Sequence, residues 1–377
     1  MANKHTTIKE NTIKNARASM AKLVDNLISL EMDEIENYEF PSDEPFGLEI
    51  IHKDTLFYLI IRFSSKNKNF ICIGPGAFER NKTDSNGELI TPPFFARWSW
   101  YKYLDESVIS YADPMIFKDD EIKLGWFIGD KNHWYLETVS SIIQNLAKNQ
   151  NVYNNNILFF GSSGGGFVST CLGTLIKNSK VLINNSQLFV LNYYPSLIGK
   201  AFELVTPSFK NQSSEEIIKK IEYRLDVTKL FERENYAPNI TYYVNVNSEP
   251  DILNQTIPLI QHHYNQETFS GLNIIHYKDK NPVPHNPLPI KTTVNILKRY
   301  AKNNLYNSKP TETQNILKAE NHAKRIEQKN SKLKKEIKKL NDENNALKDE
   351  ISELKTSSSW KVSAPLRKLK AIFRKNQ

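Results

Sequence analysis

The chain has 377 residues, a formal net charge of +8 and an apolar fraction of 39%. That is long enough for one large domain with appendages, and no stretch approaches eighteen consecutive apolar residues, so no transmembrane helix is expected. The first seven residues lack the apolar core of a signal peptide, so a cytoplasmic protein is expected. Cys72 and Cys171 sit in apolar runs and read as buried small hydrophobes, not as a disulfide. No Cys/His cluster has metal-ligand spacing, so no metal is expected.

In chain order, Ile8 to Leu30 carries apolar residues at helical spacing, and Glu31 to Pro45 reads as an acidic linker. Residues 1–45 are therefore an N-terminal helix and linker. Leu48 to His52 and Leu56 to Phe63 read as strands joined by a Lys53-Asp54 turn. Phe70 to Ile73 is a short buried strand running into Gly74-Pro75-Gly76-Ala77. Phe94 to Tyr103 is dense in aromatics and reads as a packed strand, with sugar or base stacking as the other reading. Val108 to Tyr111 and Pro114 to Phe117 continue the sheet, and Trp134 to Ala147 is helical. Gln187 to Asn192, Ile240 to Val246 and Leu272 to Tyr277 are further strands, with a helix over about 252–264. Residues 197–239 break this rhythm and read as a cap or lid. Short apolar strands alternating with helices predict an α/β fold with a mostly parallel sheet and helices on both faces.

The informative stretch is Ile157 to Phe167. Four apolar residues run into Gly161-Ser162-Ser163-Gly164-Gly165-Gly166, and a second, mainly apolar run follows. Strand, tight turn and helix is the context in which G-x-S-x-G forms a nucleophile elbow, with Ser163 at the nucleophile position. Small residues at 161 and 165 let strand and helix pass closely. The helix start offers free N–H groups to a developing oxyanion, beginning with Gly164. Gly76 or Ala77 is the candidate for a second donor, since Pro75 has no N–H. A phosphate-binding Walker loop would need Lys then Ser/Thr, where Phe167-Val168 stand.

A serine nucleophile needs a base, and the base an orienting carboxylate, each from a loop after a later strand. After Ile240 to Val246 come Glu249 and Asp251. After Leu272 to Tyr277 come Asp279 and, in a proline-stiffened loop, His285. His285 is assigned as base and Asp251 as acid, with Glu249 the rival and Asp279 a weaker one.

With these residues in view, about 46–302 resembles an α/β-hydrolase-fold serine enzyme. Within that superfamily the layout is similar to bacterial capsule and surface-glycan O-acetyltransferases. The resemblance rests on Gly161-Ser162-Ser163-Gly164-Gly165, Asp251 and His285. It implies acyl transfer from acetyl-CoA, with no bound cofactor, to a sugar hydroxyl of a polysaccharide through an acyl-serine. An esterase or deacetylase would use the same residues, and a non-catalytic scaffold for glycan synthesis is a third reading.

Beyond a linker at 303–315, a heptad runs over 316–355. Ala319, Ile326, Leu333, Leu340, Leu347 and Leu354 occupy d, and Ile316, Ala323, Asn330, Ile337, Asn344 and Ile351 occupy a. Ile at a with Leu at d, plus buried asparagines, predicts a parallel homodimeric coiled coil. Residues 356–377 follow, and Leu366, Leu369, Ile372 and Phe373 line one face among Arg367, Lys368, Lys370, Arg374 and Lys375. Such a basic amphipathic helix suits the inner face of a cell membrane. The segment Ser357 to Arg367 is similar to ends of bacterial polysaccharide-synthesis glycosyltransferases, which implies a glycan-synthesis complex as the other partner. Nucleic acid is not expected, because the basic charge is terminal.

Overall fold

The computed structural model describes residues 10–302 except 85, 194, 210–211 and 265–270, and beyond them 334, 338–349, 351–353, 356–358 and 363. The chain divides into two compact units, Met1–Asn304 and Leu305–Gln377.

The first unit opens with α1 (Glu10–Ala21), then β1 (Leu27–Leu30), β2 (Phe46–His52), β3 (Thr55–Arg62), β4 (Phe70–Ile73) and β5 (Ser107–Tyr111). There follow α2 (Tyr135–Asn149), β6 (Ile157–Ser163), α3 (Gly164–Leu175), β7 (Lys180–Ser186), α4 (Pro195–Val205), α5 (Ser214–Ile221) and α6 (Val227–Glu234). The unit closes with β8 (Asn239–Asn245), a single turn α7 (Glu249–Asp251), α8 (Ile257–Tyr264), β9 (Leu272–Tyr277) and α9 (Ile290–Lys302).

The nine strands among the described residues form one sheet in the order β1-β2-β3-β5-β4-β6-β7-β8-β9. Only the β2–β3 and β3–β5 pairs are antiparallel. The expected α/β architecture with a mostly parallel sheet is therefore present. Its strands alternate between two buried faces, as a sheet covered on both sides must. Cys72, Phe159 and Ile183 point to the larger core, with residues of α2 and α3. Ile71, Leu158, Phe160 and Leu182 point to the other, where Val294 and Leu297 of α9 cover them. Pairing is parallel from β4 through β6, β7, β8 and β9, so the loops leaving β6 to β9 share one sheet edge.

Several predicted elements differ. The N-terminal helix ends at Ala21, and Leu27 to Leu30 leaves it to pair with β2 as an edge strand. The buried Glu49 carboxylate fixes this arrangement. It accepts from Arg17 on α1, Ser29 on β1 and Tyr58 on β3. Trp98–Tyr103 is a 3₁₀ turn and not a strand, and so is Pro114–Phe117. Proline at the first position and the Asp113 cap on Met115 explain the second. The strand placed at Gln187 to Asn192 lies instead at Lys180–Ser186, and the chain leaves the sheet at Gln187. Within 197–239, α6 is the crossover between β7 and β8 and packs on α3. Ala201, Val205, Ile217 and Ile221 join the main core.

In the second unit, residues 338–349 and 351–353 are helical. Most of the expected coiled coil at 316–355 and of the basic tail at 356–377 lies outside the described residues. No helix among the described residues is long and apolar enough to cross a membrane.

Candidate active site

The turn from β6 into α3 holds Ser163 at φ 53°, ψ −130°, a conformation that costs a non-glycine residue about 1–3 kcal/mol. The glycines around it make the turn possible. A Cβ on Gly161 would lie 2.0 Å from the Gly165 carbonyl oxygen, and one on Gly165 would lie 2.6 Å from that of Gly74. Strand, helix and the Gly74-Pro75 loop thus converge backbone to backbone, which only glycine permits.

Ser163, His285 and Asp251 form one hydrogen-bonded line. His285 Nε2 is 2.9 Å from Ser163 Oγ. His285 Nδ1 is 2.9 and 2.8 Å from the two Asp251 oxygens. A carboxylate only accepts, so Nδ1 carries the proton and Nε2 is left to accept from the serine hydroxyl. The Asp251 side chain is 3% exposed and that of His285 30%. The acid is sealed, and the base keeps one face open. Ser248 Oγ donates to Asp251 Oδ2 at 2.6 Å. The chain continues past Asp251 through a π-helical stretch, Ile252–Thr256, and the Thr256 hydroxyl donates to the Asp251 carbonyl.

The two rival acids lie elsewhere. Glu249 is exposed on α7. Asp279 is engaged in its own loop, accepting from Asn245 Nδ2 at 2.9 Å and the Asn281 N–H at 3.2 Å. Of the oxyanion candidates, the Gly164 N–H belongs to the first turn of α3, which has no intrahelical acceptor. Gly76 sits near the Ser162 carbonyl oxygen, since a Cβ there would be 3.7 Å from it. Ala77 is exposed.

Sequence reasoning missed two groups. The first is Gln187, whose Nε2 donates to Ser163 Oγ at 2.8 Å. Its Oε1 accepts from the Trp126 indole at 2.8 Å. Trp126 and Phe127 have φ of 47° and 55°. Asp113 holds them there, accepting from the Gly125 and Phe127 N–H groups at 3.1 Å each. Burial raises the Asp113 pKa to about 6 against those hydrogen bonds. The second is a set of asparagines at the ends of β7 and β8. Asn185 Nδ2 donates to the Pro284 and Asn286 carbonyls, at 3.1 and 2.9 Å. Asn245 Nδ2 also reaches Pro284, at 3.1 Å. They fasten the His285 loop on both sides of the histidine. The Asn184-Asn185-Ser186 run in β7 was the available signal, because three buried polar residues in a row need partners.

No protein-family model and no curated protein matches the chain. Among solved structures, the capsule O-acetyltransferase of Neisseria meningitidis serogroup A is similar at 14% identity and a TM-score of 0.47, over 66% of this chain and 95% of that one. A mutant of that enzyme in complex with CoA aligns at 12% identity and 0.46, over 67% and 96%. Acetyl Xylan Esterase 1 from Thermoanaerobacterium aligns at 12% identity and 0.45, over 78% and 94%. Likeness at this level carries no weight for the chemistry, which rests on the side-chain geometry above.

Proposed function

We propose that the protein is a serine acyltransferase that moves an acetyl group from acetyl-CoA to a sugar hydroxyl of a bacterial surface polysaccharide. The observation that carries the acyl-transfer reading is the Ser163–His285–Asp251 line. The sugar acceptor and the acetyl-CoA donor are proposed from the motif resemblance stated above.

In this reading Ser163 Oγ attacks the thioester carbonyl carbon while His285 Nε2 takes its proton. Asp251 holds the imidazole in the needed tautomer and balances the imidazolium. The carbonyl oxygen becomes an oxyanion, which takes hydrogen bonds from the Gly164 N–H and from that of Gly76 or Ala77. Collapse expels the CoA sulfur, which takes the proton back from His285, and leaves acetyl-Ser163. A sugar hydroxyl then attacks the ester, giving its proton to His285. The second collapse releases the sugar acetate and returns the proton to Ser163. Gln187 positions the Ser163 hydroxyl through the 2.8 Å bond. With water as acceptor the same steps make an esterase.

The homodimeric coiled coil and peripheral membrane attachment belong to the same proposal. The support for the coiled coil is the heptad pattern of Ile at a and Leu at d over 316–355.

The test is incubation with radiolabelled acetyl-CoA and a panel of bacterial polysaccharides, with Ser163→Ala as control. Label reaching a glycan only with the unaltered protein is the expected result. Acetate esters cleaved by the unaltered protein with no label on any glycan would replace the transferase by an esterase. Equal behaviour of the two proteins in both assays would leave only the scaffold.

A further inference from the structure

Next to the nucleophile lies a guanidinium that the acyl-transfer chemistry does not use. Arg97 Nη2 donates to Ser162 Oγ at 2.7 Å, one residue before Ser163. Its Cζ lies 5.3 Å from the centre of the Trp100 ring and 5.5 Å from that of Phe160. The backbone at Arg97 is left-handed, φ 56°, which an arginine adopts only at a cost. Part of the residue remains open to solvent, yet desolvation lowers its pKa to about 10. Arg97 makes no ion pair among the described residues. A desolvated charge without a counter-charge is unfavourable, so this placement calls for an explanation outside the fold.

Arg97 caps the 3₁₀ turn Trp98–Tyr103, and the far end of that turn is also basic. Lys102, Tyr103 and Asp105 line a cavity of about 470 Å³ with Lys291, Val294 and Lys298 of α9. None of the three lysines makes an ion pair among the described residues. Asp105 is the one acid in the lining. The 3₁₀ turn links the two ends, and beneath it Trp100, Phe160 and Val294 share one core cluster. Lys102 is five residue steps from Arg97 along the 3₁₀ turn, roughly 10 Å along its axis.

We propose that this strip binds an anionic substrate of Ser163. Arg97 takes an anionic group close to the transferred acyl, and the lysine cavity takes a second one roughly 10 Å away. The inference rests on the acyl-transfer reading and adds the substrate's charge class to it. Arginine's planar fork suits the oxygens of a phosphate or carboxylate, and lysines serve as point charges for a phosphate. Two sources supply such chemistry: the phosphates of a coenzyme A thioester and the acidic groups of a charged polysaccharide. Tyr103, which is exposed, offers a ring for the base or sugar that either one carries.

The test uses full-length Ser163→Ala protein, which binds without turnover, and titration calorimetry at low and high salt. The probes are CoA, pantetheine, an acidic oligosaccharide and a neutral one. Arg97→Gln and Lys102→Ala/Lys298→Ala are compared with the parent. The expected result is at least tenfold weaker binding of one anionic probe in both variants, with a larger ratio of anionic to neutral affinity in the parent. The probe that loses affinity identifies the source. Three results would overturn the proposal: no anionic probe binding the parent at millimolar concentration, unchanged affinities in both variants, or equal losses for anionic and neutral probes. Hydrolysis of 4-nitrophenyl acetate by the unaltered protein is measured alongside. Its absence would count against Ser163 as nucleophile, while the calorimetry still reports on the strip.

Discussion

Two neighbouring regions of the first unit treat their polar groups in opposite ways. At the carboxyl ends of β6 to β9, Ser163, Gln187, Asn185, Asn245, Asp251 and His285 are joined to one another or to nearby backbone. On the adjacent strip from Arg97 to Lys298, four cations have no acidic partner among the described residues. The first region is finished without a ligand, because its geometry must be set before the substrate arrives. The second is left with uncompensated charge, which suits recognition rather than chemistry. A network that satisfies itself predicts large, specific losses when one member is removed. A strip of unpaired charge predicts losses that depend on the substrate's charge.

The largest effect should come from the paired region. Ser163→Ala and His285→Ala should each lower kcat for acetyl transfer by about 10⁴-fold or more, with the fold retained by circular dichroism. Their double variant should be no worse than either alone, because the two act as a unit. Asp251→Asn should cost about 10³- to 10⁴-fold, since an amide cannot hold the imidazole in the same tautomer. Glu249→Gln should stay within about twofold, and this pair of measurements separates the two acids that the sequence left open.

Gln187→Leu comes next, at about 10- to 100-fold in kcat with little change in KM, through loss of the donor on Ser163 Oγ. A larger effect on KM than on kcat would move Gln187 from positioning to substrate binding.

The smallest effect comes from His133, a histidine outside the Ser163–His285–Asp251 line. His133 is 5% exposed, packed against Phe57 and Tyr135, with Nε2 at 2.6 Å from the Thr138 hydroxyl. Burial lowers its pKa to about 4. Between pH 6.5 and 4 the unfolded chain binds a proton that the folded chain refuses. Stability is therefore full above pH 6.5 and falls as pH drops toward 4. Denaturant titrations of His133→Phe should show a shallower acid slope than the unaltered protein. An unchanged slope would mean that His133 titrates normally.

Much of the candidate site was legible because it follows chain order. Gly161 to Gly165 marks the elbow by composition, and His285 stands in the loop after the last strand. Choosing Asp251 over Glu249 depends on side-chain direction, which α7 and the π-helical stretch set and which spacing alone does not encode. The misplaced strand has a simple cause. Val181, Leu182 and Ile183 are followed by Asn184, Asn185 and Ser186, so the apolar run is too short to stand out, and the apolar residues at 188–190 drew the assignment. Phe94 to Tyr103 misled for the opposite reason. Its aromatics pack as well from a 3₁₀ turn as from a strand, so their density says nothing about the period. Gln187 and Asn185 could be found only by asking where buried amides find their partners.

The central claim is that Ser163 carries the acyl group between donor and acceptor. Peptide mass spectrometry after a brief acid quench of the protein with acetyl-CoA, without acceptor, tests it directly. The account predicts a single acetyl group on the peptide containing Ser163, absent from Ser163→Ala and discharged by an acceptor sugar. Acetylation at another residue that persists in Ser163→Ala and is discharged by the acceptor would contradict it.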